Sequence, residues 1–90
     1  MTLVHRVLGK ERIAEICNQY GLRPEDCQII DQLLVRWEKL TGKPMEKFRV
    51  ALELTHGNDN HGKIVQAASA ICVEFAKKQL AKQPLPNDRN

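Results

Sequence analysis

Apolar residues recur every three or four positions along most of this chain, the spacing that places them on one face of an α-helix. Over residues 10–20 the repeating set is Ile13, Ile16, Cys17 and Tyr20. Over 24–40 it widens to Cys27, Ile29, Ile30, Leu33, Leu34, Val35, Trp37 and Leu40. Over 44–55 it is Met45, Phe48, Ala51 and Leu52, with Leu54 as a further candidate. Over 61–82 Ile64, Ala67, Ala68, Ile71, Cys72, Phe75, Ala76 and Leu80 hold the pattern longest. Upstream, Leu3, Val4, Val7 and Leu8 read as a further turn or two, interrupted or kinked at Gly9.

Glycine and proline mark the breaks. Gly21 precedes Pro24, Gly42 precedes Pro44, and Gly57 and Gly62 bracket a polar loop. Glycine suits the position just past a helix end, and proline suits the first helical position, where an N–H has no partner to lose. Connections this short favour antiparallel neighbours. The expectation is an all-α, compact four- to five-helix bundle forming one domain over 1–82, with a disordered tail over 83–90. The apolar arc of the 24–40 helix is too broad for one neighbour, so that helix is expected to lie centrally or in an oligomer interface. The small residues Ala67, Ala68, Ala70 and Ala76 would let another helix approach the last one closely.

Composition narrows this only a little. Ninety residues suffice for one domain with a thin stability margin. With 42% apolar and 28% charged residues the chain belongs with globular rather than disordered proteins. The formal charge of +3 permits contact with nucleic acid or an acidic protein and demands neither. Cys17, Cys27 and Cys72 cannot all pair within one chain, and each falls on an apolar stripe, so reduced core thiols are expected. No apolar run is long enough for a secretion signal or a membrane span, and a cytoplasmic location follows as the expectation.

The segment from His56 to Gly62, with His61 and Asp59 inside it, is the most suggestive for metal chemistry. Zinc needs three or four ligands, and no cysteine pair or second carboxylate lies nearby. As a calcium loop it would put Gly57 at a ligand position and Ala68 where a bidentate glutamate belongs. Helix capping by Asn58, Asp59 or Asn60 is the stronger reading. The single serine, Ser69, lies mid-helix among alanines, and neither a nucleophile elbow nor a phosphate-binding glycine loop is present. No enzyme activity, metal or cofactor is expected.

A basic cluster, Arg36, Lys39, Lys43, Lys47 and Arg49, surrounds the junction of the second and third main helices, with Glu38 and Glu46 interleaved. Such a patch could contact phosphates with salt-sensitive affinity. A helix-turn-helix does not fit, because Pro24, Glu25 and Asp26 would present carboxylates where a recognition helix meets base edges.

The run Ile13-Ala14, Gly21-Leu22, Asp26, Ile29-Ile30, Leu33 to Trp37, Gly42 and Ala51-Leu52 resembles the spacing of death-fold adaptor domains. The resemblance implies a six-helix module that binds others of its kind. It covers about half the chain. That family places a short helix and loop between the isoleucine pair and the tryptophan, whereas here Ile30 and Trp37 stand on one helix, and the family is not assigned.

The sequence therefore leads to a helical protein–protein interaction or regulatory module without catalytic activity, with a protein partner or a second copy as its ligand. Trp37, Met45 and Phe48 are its candidate interface anchors, since large side chains dominate such contacts. The alternative is a nucleic-acid-associated regulator using Arg36, Lys39, Lys43, Lys47 and Arg49. Neither a membrane nor a small-molecule substrate is expected.

Overall fold

The computed structural model describes residues 2–40 and 42–82, and within them the chain is a bundle of five α-helices. These are α1 (Leu3–Leu8), α2 (Lys10–Gln19), α3 (Pro24–Glu38), α4 (Pro44–Leu54) and α5 (His61–Lys82). No strand occurs among the described residues. The expected tail over 83–90 lies outside them.

The helix boundaries follow from local chemistry. Pro24 and Pro44 occupy the first turns of α3 and α4, where a missing N–H costs nothing. Gly9 separates α1 from α2. Its N–H closes on the His5 carbonyl at 2.9 Å, and its own carbonyl receives the Ile13 N–H at 3.2 Å. One residue thus ends one helix and begins the next, at a φ of 87° that favours glycine. α1 starts with a reciprocal cap, in which the Thr2 hydroxyl accepts from the His5 N–H while the His5 ring accepts from the Thr2 N–H.

α5 is 22 residues long, about 33 Å, and forms the spine. α1, α2 and α3 all pack against it, and α4 lies mainly on α3. The main core joins Ile13, Ile16 and Cys17 of α2 to Ile30 and Leu34 of α3 and to Ile64, Ala67 and Ile71 of α5. A smaller core joins Leu33 of α3 to Val50 and Ala51 of α4 and to Ala68 of α5. The adjacent alanines of α5 therefore serve different cores, Ala67 the larger and Ala68 the smaller. Each large aliphatic side chain sealed in this way contributes about 1.5–3 kcal/mol. α3 is clasped between α4 and α5, so its broad apolar arc is covered from two sides within one chain, although Val35 remains exposed.

α4 departs from expectation in the direction it faces. Of the expected apolar set Met45, Phe48, Ala51, Leu52 and Leu54, the structure buries Ala51 and half-buries Leu54, adds Val50 to the buried side, and turns Met45, Phe48 and Leu52 outward. The groove on Leu33 and Ala68 accepts a branched and a small side chain at close range, and the bulkier stripe is left on the opposite side.

An ion pair ties α2 to α5. Arg12 donates to both carboxylate oxygens of Glu74, at 2.6 and 2.7 Å, and also reaches Glu15 at 2.9 Å. Among the described residues no helix is long and apolar enough to cross a membrane.

Candidate interaction surface

The outer face of α4 exposes three bulky apolar side chains in one row. Met45 is 77% exposed, Phe48 59% and Leu52 49%. Their spacing of three and four residues puts them within about 60° of arc on one helix. Single exposed apolar residues are ordinary; here three bulky ones stand in one row on the same helix face. Arg49 and Glu46 flank the row and pair with each other, Arg49 Nε donating to Glu46 Oε1 at 3.1 Å.

α4 is held in this orientation from its inner side. The Trp37 indole N–H donates to the Lys47 carbonyl at 2.9 Å, pinning the first turn of α4 to the end of α3. Arg36 of α3 reaches Glu53 of α4 at 3.4 Å. Of the three candidate anchors, then, Met45 and Phe48 stand together on the exposed face, while Trp37 is half-buried at the α3–α4 junction.

The basic cluster is divided by the same contacts. Arg36 and Arg49 face carboxylates, those of Glu53 and Glu46. Lys39 and Lys43 are exposed at the turn, and Lys47 is half-buried. The five cations therefore do not present one uniform basic face.

The 56–62 loop has a structural role that the sequence did not reveal. Asp26, in the first turn of α3, is fully buried and organises that loop. Its carboxylate accepts from Asn58 Nδ2 at 3.1 Å, from Asn60 Nδ2 at 3.0 Å, and from Arg23 Nε and Nη2 at 3.1 and 3.2 Å. The Arg23 guanidinium, then the two amides, hold the Asp26 carboxyl well below the usual carboxylate range, outweighing the opposing effect of burial. Asn58 Oδ1 in turn accepts from the Asn60 N–H at 2.7 Å, closing the loop on itself. The asparagines expected to cap α5 are also tied to a carboxylate more than thirty residues away. His56 and His61 line a shallow cleft of about 340 Å³ beside Leu52, while Asp59 stands exposed outside it. No group of three metal-ligating side chains forms among the described residues.

A second polar chain, buried at Thr2 and His5 and exposed at Asp31, went unread in the sequence. Thr2 Oγ1 lies 2.6 Å from His5 Nδ1, and His5 Nε2 lies 3.1 Å from Asp31 Oδ1. The order hydroxyl, imidazole, carboxylate superficially resembles a hydrolytic triad. Here the Thr2 hydroxyl is sealed from solvent and accepts the His5 N–H, so its place is that of a helix cap. The chain of bonds fastens α1 to α3. Burial pushes the Cys17 thiol up to about 12, with the neighbouring Cys27 thiol acting in the same direction, which makes Cys17 a poor nucleophile.

No family model matches this chain, and neither the curated proteins nor the solved structures contain a match to it.

Proposed function

We propose that this protein is a helical protein–protein interaction module whose contact surface is the outer face of α4, and that its partner is a second copy of itself. The observation that carries the reading is the exposed row Met45, Phe48 and Leu52, held outward by an inner face that is already packed.

The row complements itself. When two α4 helices cross antiparallel about a point between positions 48 and 49, Met45 comes opposite the partner's Leu52, and Phe48 lies against the partner's Phe48 and Arg49. The same arrangement brings Lys43 toward the partner's Glu53. A surface that matches itself in this way suits an isologous two-fold interface. One short helix face covers less than the about 1,600 Å² of a standard interface, so the association is weak and concentration-dependent.

Sedimentation equilibrium over a concentration series tests this. The wild-type mass is expected to rise above the 10.3 kDa of one chain with concentration, and the Phe48→Glu mass to remain at the one-chain value. A wild-type chain that remains monomeric throughout would overturn self-association. Nucleic-acid contact through the basic cluster is supported less well, because Arg36 and Arg49 already face carboxylates. Salt-sensitive binding of duplex DNA, weakened by Lys39→Glu and Lys43→Glu without unfolding, would favour that reading instead.

A further inference from the structure

Two of the three cysteines meet across the hairpin of α2 and α3. Cys17 lies in the last turns of α2 and Cys27 in the first turn of α3. The Cys17 carbonyl accepts the Leu22 N–H at 3.0 Å, and the chain re-enters a helix at Pro24, so the cysteines flank one tight connection. On α3, Cys27, Ile30 and Leu34 are spaced three and four residues apart and share a face. Ile30 and Leu34 enter the main core together with Cys17, and Cys27 packs against that core from its edge. The thiols of Cys17 and Cys27 are in hydrogen-bond contact, and Asp31, one turn further along α3, also acts on Cys17.

Their surroundings differ. Cys17 is 1% exposed, whereas Cys27 is half-buried and within reach of a reagent. Cys72 of α5 stands outside the pair. It borders the groove lined by Trp37 and Phe75, and the charge that acts on it is that of Lys47.

We infer that Cys17 and Cys27 are an oxidisable thiol pair, which a small disulfide such as oxidised glutathione converts to a bond pinning α2 to α3. The Cys27 thiolate, the more accessible, attacks one sulfur of oxidised glutathione and expels a glutathione thiolate, leaving a mixed disulfide on Cys27. The Cys17 thiolate then attacks the Cys27 sulfur, and a second glutathione leaves. Two electrons pass from the protein to glutathione, and the two thiol protons end on the departing glutathiones. Burial, and then the Cys27 thiol, hold the proton on Cys17. The second of these influences is gone once Cys27 carries glutathione, and the attack is intramolecular. The finished bond restricts the unfolded chain and so favours the folded one.

The full chain, incubated with oxidised glutathione, is alkylated with N-ethylmaleimide in denaturant and cut with Glu-C protease. Cleavage after Glu25 separates Cys17 from Cys27, and cleavage after Glu53 and Glu74 places Cys72 on a third peptide. The expected result is a joined Cys17–Cys27 pair of peptides, an alkylated Cys72, and a melting temperature that rises and returns on reduction with dithiothreitol. Cys72→Ser should still form the bond. Cys27→Ser, a change at a half-buried position, should leave Cys17 free to be alkylated, because its thiol is sealed in the native fold. Glutathione retained on Cys27 with no joined peptides would overturn the pair. A bond from either residue to Cys72 would overturn the assignment of partners. A melting temperature lowered by oxidation would show that the bond forms only by distorting the fold, and would overturn its role in pinning α2 to α3.

Discussion

The two ends of α3 treat their neighbours in opposite ways. At its N-terminal end a fully buried carboxylate, Asp26, gathers a guanidinium and two amides and fastens the 56–62 loop, leaving little there to recognise. At its C-terminal end α4 rests on a small core of Leu33, Val50, Ala51 and Ala68 and displays a bulky apolar row to solvent. The first region is built for stability. The second leaves Met45, Phe48 and Leu52 in contact with solvent, the surface on which the proposed self-association rests.

This contrast can be broken by mutation, and the largest effect belongs to the main core. Ile30→Ala removes a fully buried side chain shared by α2, α3 and α5, and should cost about 3–4 kcal/mol in urea unfolding. A loss below about 1 kcal/mol would show that this core collapses readily around the deletion and is not the rigid half of the molecule.

Asp26→Ala comes next. It leaves Arg23, Asn58 and Asn60 without their shared acceptor and should cost about 2 kcal/mol. The same residue sets a pH dependence. Its folded carboxyl titrates below the usual range, so the unfolded chain takes up the proton first as pH falls. The stability it confers is complete above about pH 4 and drains away below it. Unfolding free energies measured across this range should fall less steeply in Asp26→Ala than in wild type; parallel curves would remove Asp26 from the account of acid sensitivity.

Val50→Ala, in the smaller core, should cost about 1–2 kcal/mol, less than Ile30→Ala because fewer methyl groups lose their contacts. The smallest effect on stability is expected on the outer face, where Phe48→Glu should change unfolding by no more than about 0.5 kcal/mol. A large destabilisation by Phe48→Glu would mean that the side chain supports the fold, and the division between the two regions would fail.

These same regions differ in how far they could be read from sequence. The helices were legible because their apolar spacing and their glycine and proline breaks are local signals. α5 shows this best, with the expected 61–82 span matching His61–Lys82. The interruption at Gly9 was legible for the same reason, since one residue there ends one helix and starts the next. α4 was read only in part, because the expected set of Met45, Phe48, Ala51, Leu52 and Leu54 mixes two apolar stripes, 45-48-52 and 50-51-54. Periodicity identifies both as helical and cannot say which one meets a groove formed by two other helices. The Asp26 hub was invisible for a different reason. Its partners Asn58 and Asn60 lie 32 and 34 residues away, and an acid in a first helical turn already has a sufficient local explanation in the helix dipole. The pairing of Arg23 with Asp26, three residues apart, was the one local clue that this acid had a further task.

Of the candidate anchors, Met45 and Phe48 were named for their size, and the structure leaves both exposed on the outer face of α4. Trp37 belongs to the junction that orients α4, through its bond to the Lys47 carbonyl.

The most direct test of the account is a dilution series of the isotope-labelled chain followed by amide chemical shifts. The account predicts concentration-dependent shifts clustered on residues 45–53 of α4, absent in Phe48→Glu, with the amides around Ile30 and Asp26 unmoved. Shifts clustered instead around the exposed Val73 and Leu80 of α5, or no shifts at any concentration, would contradict it.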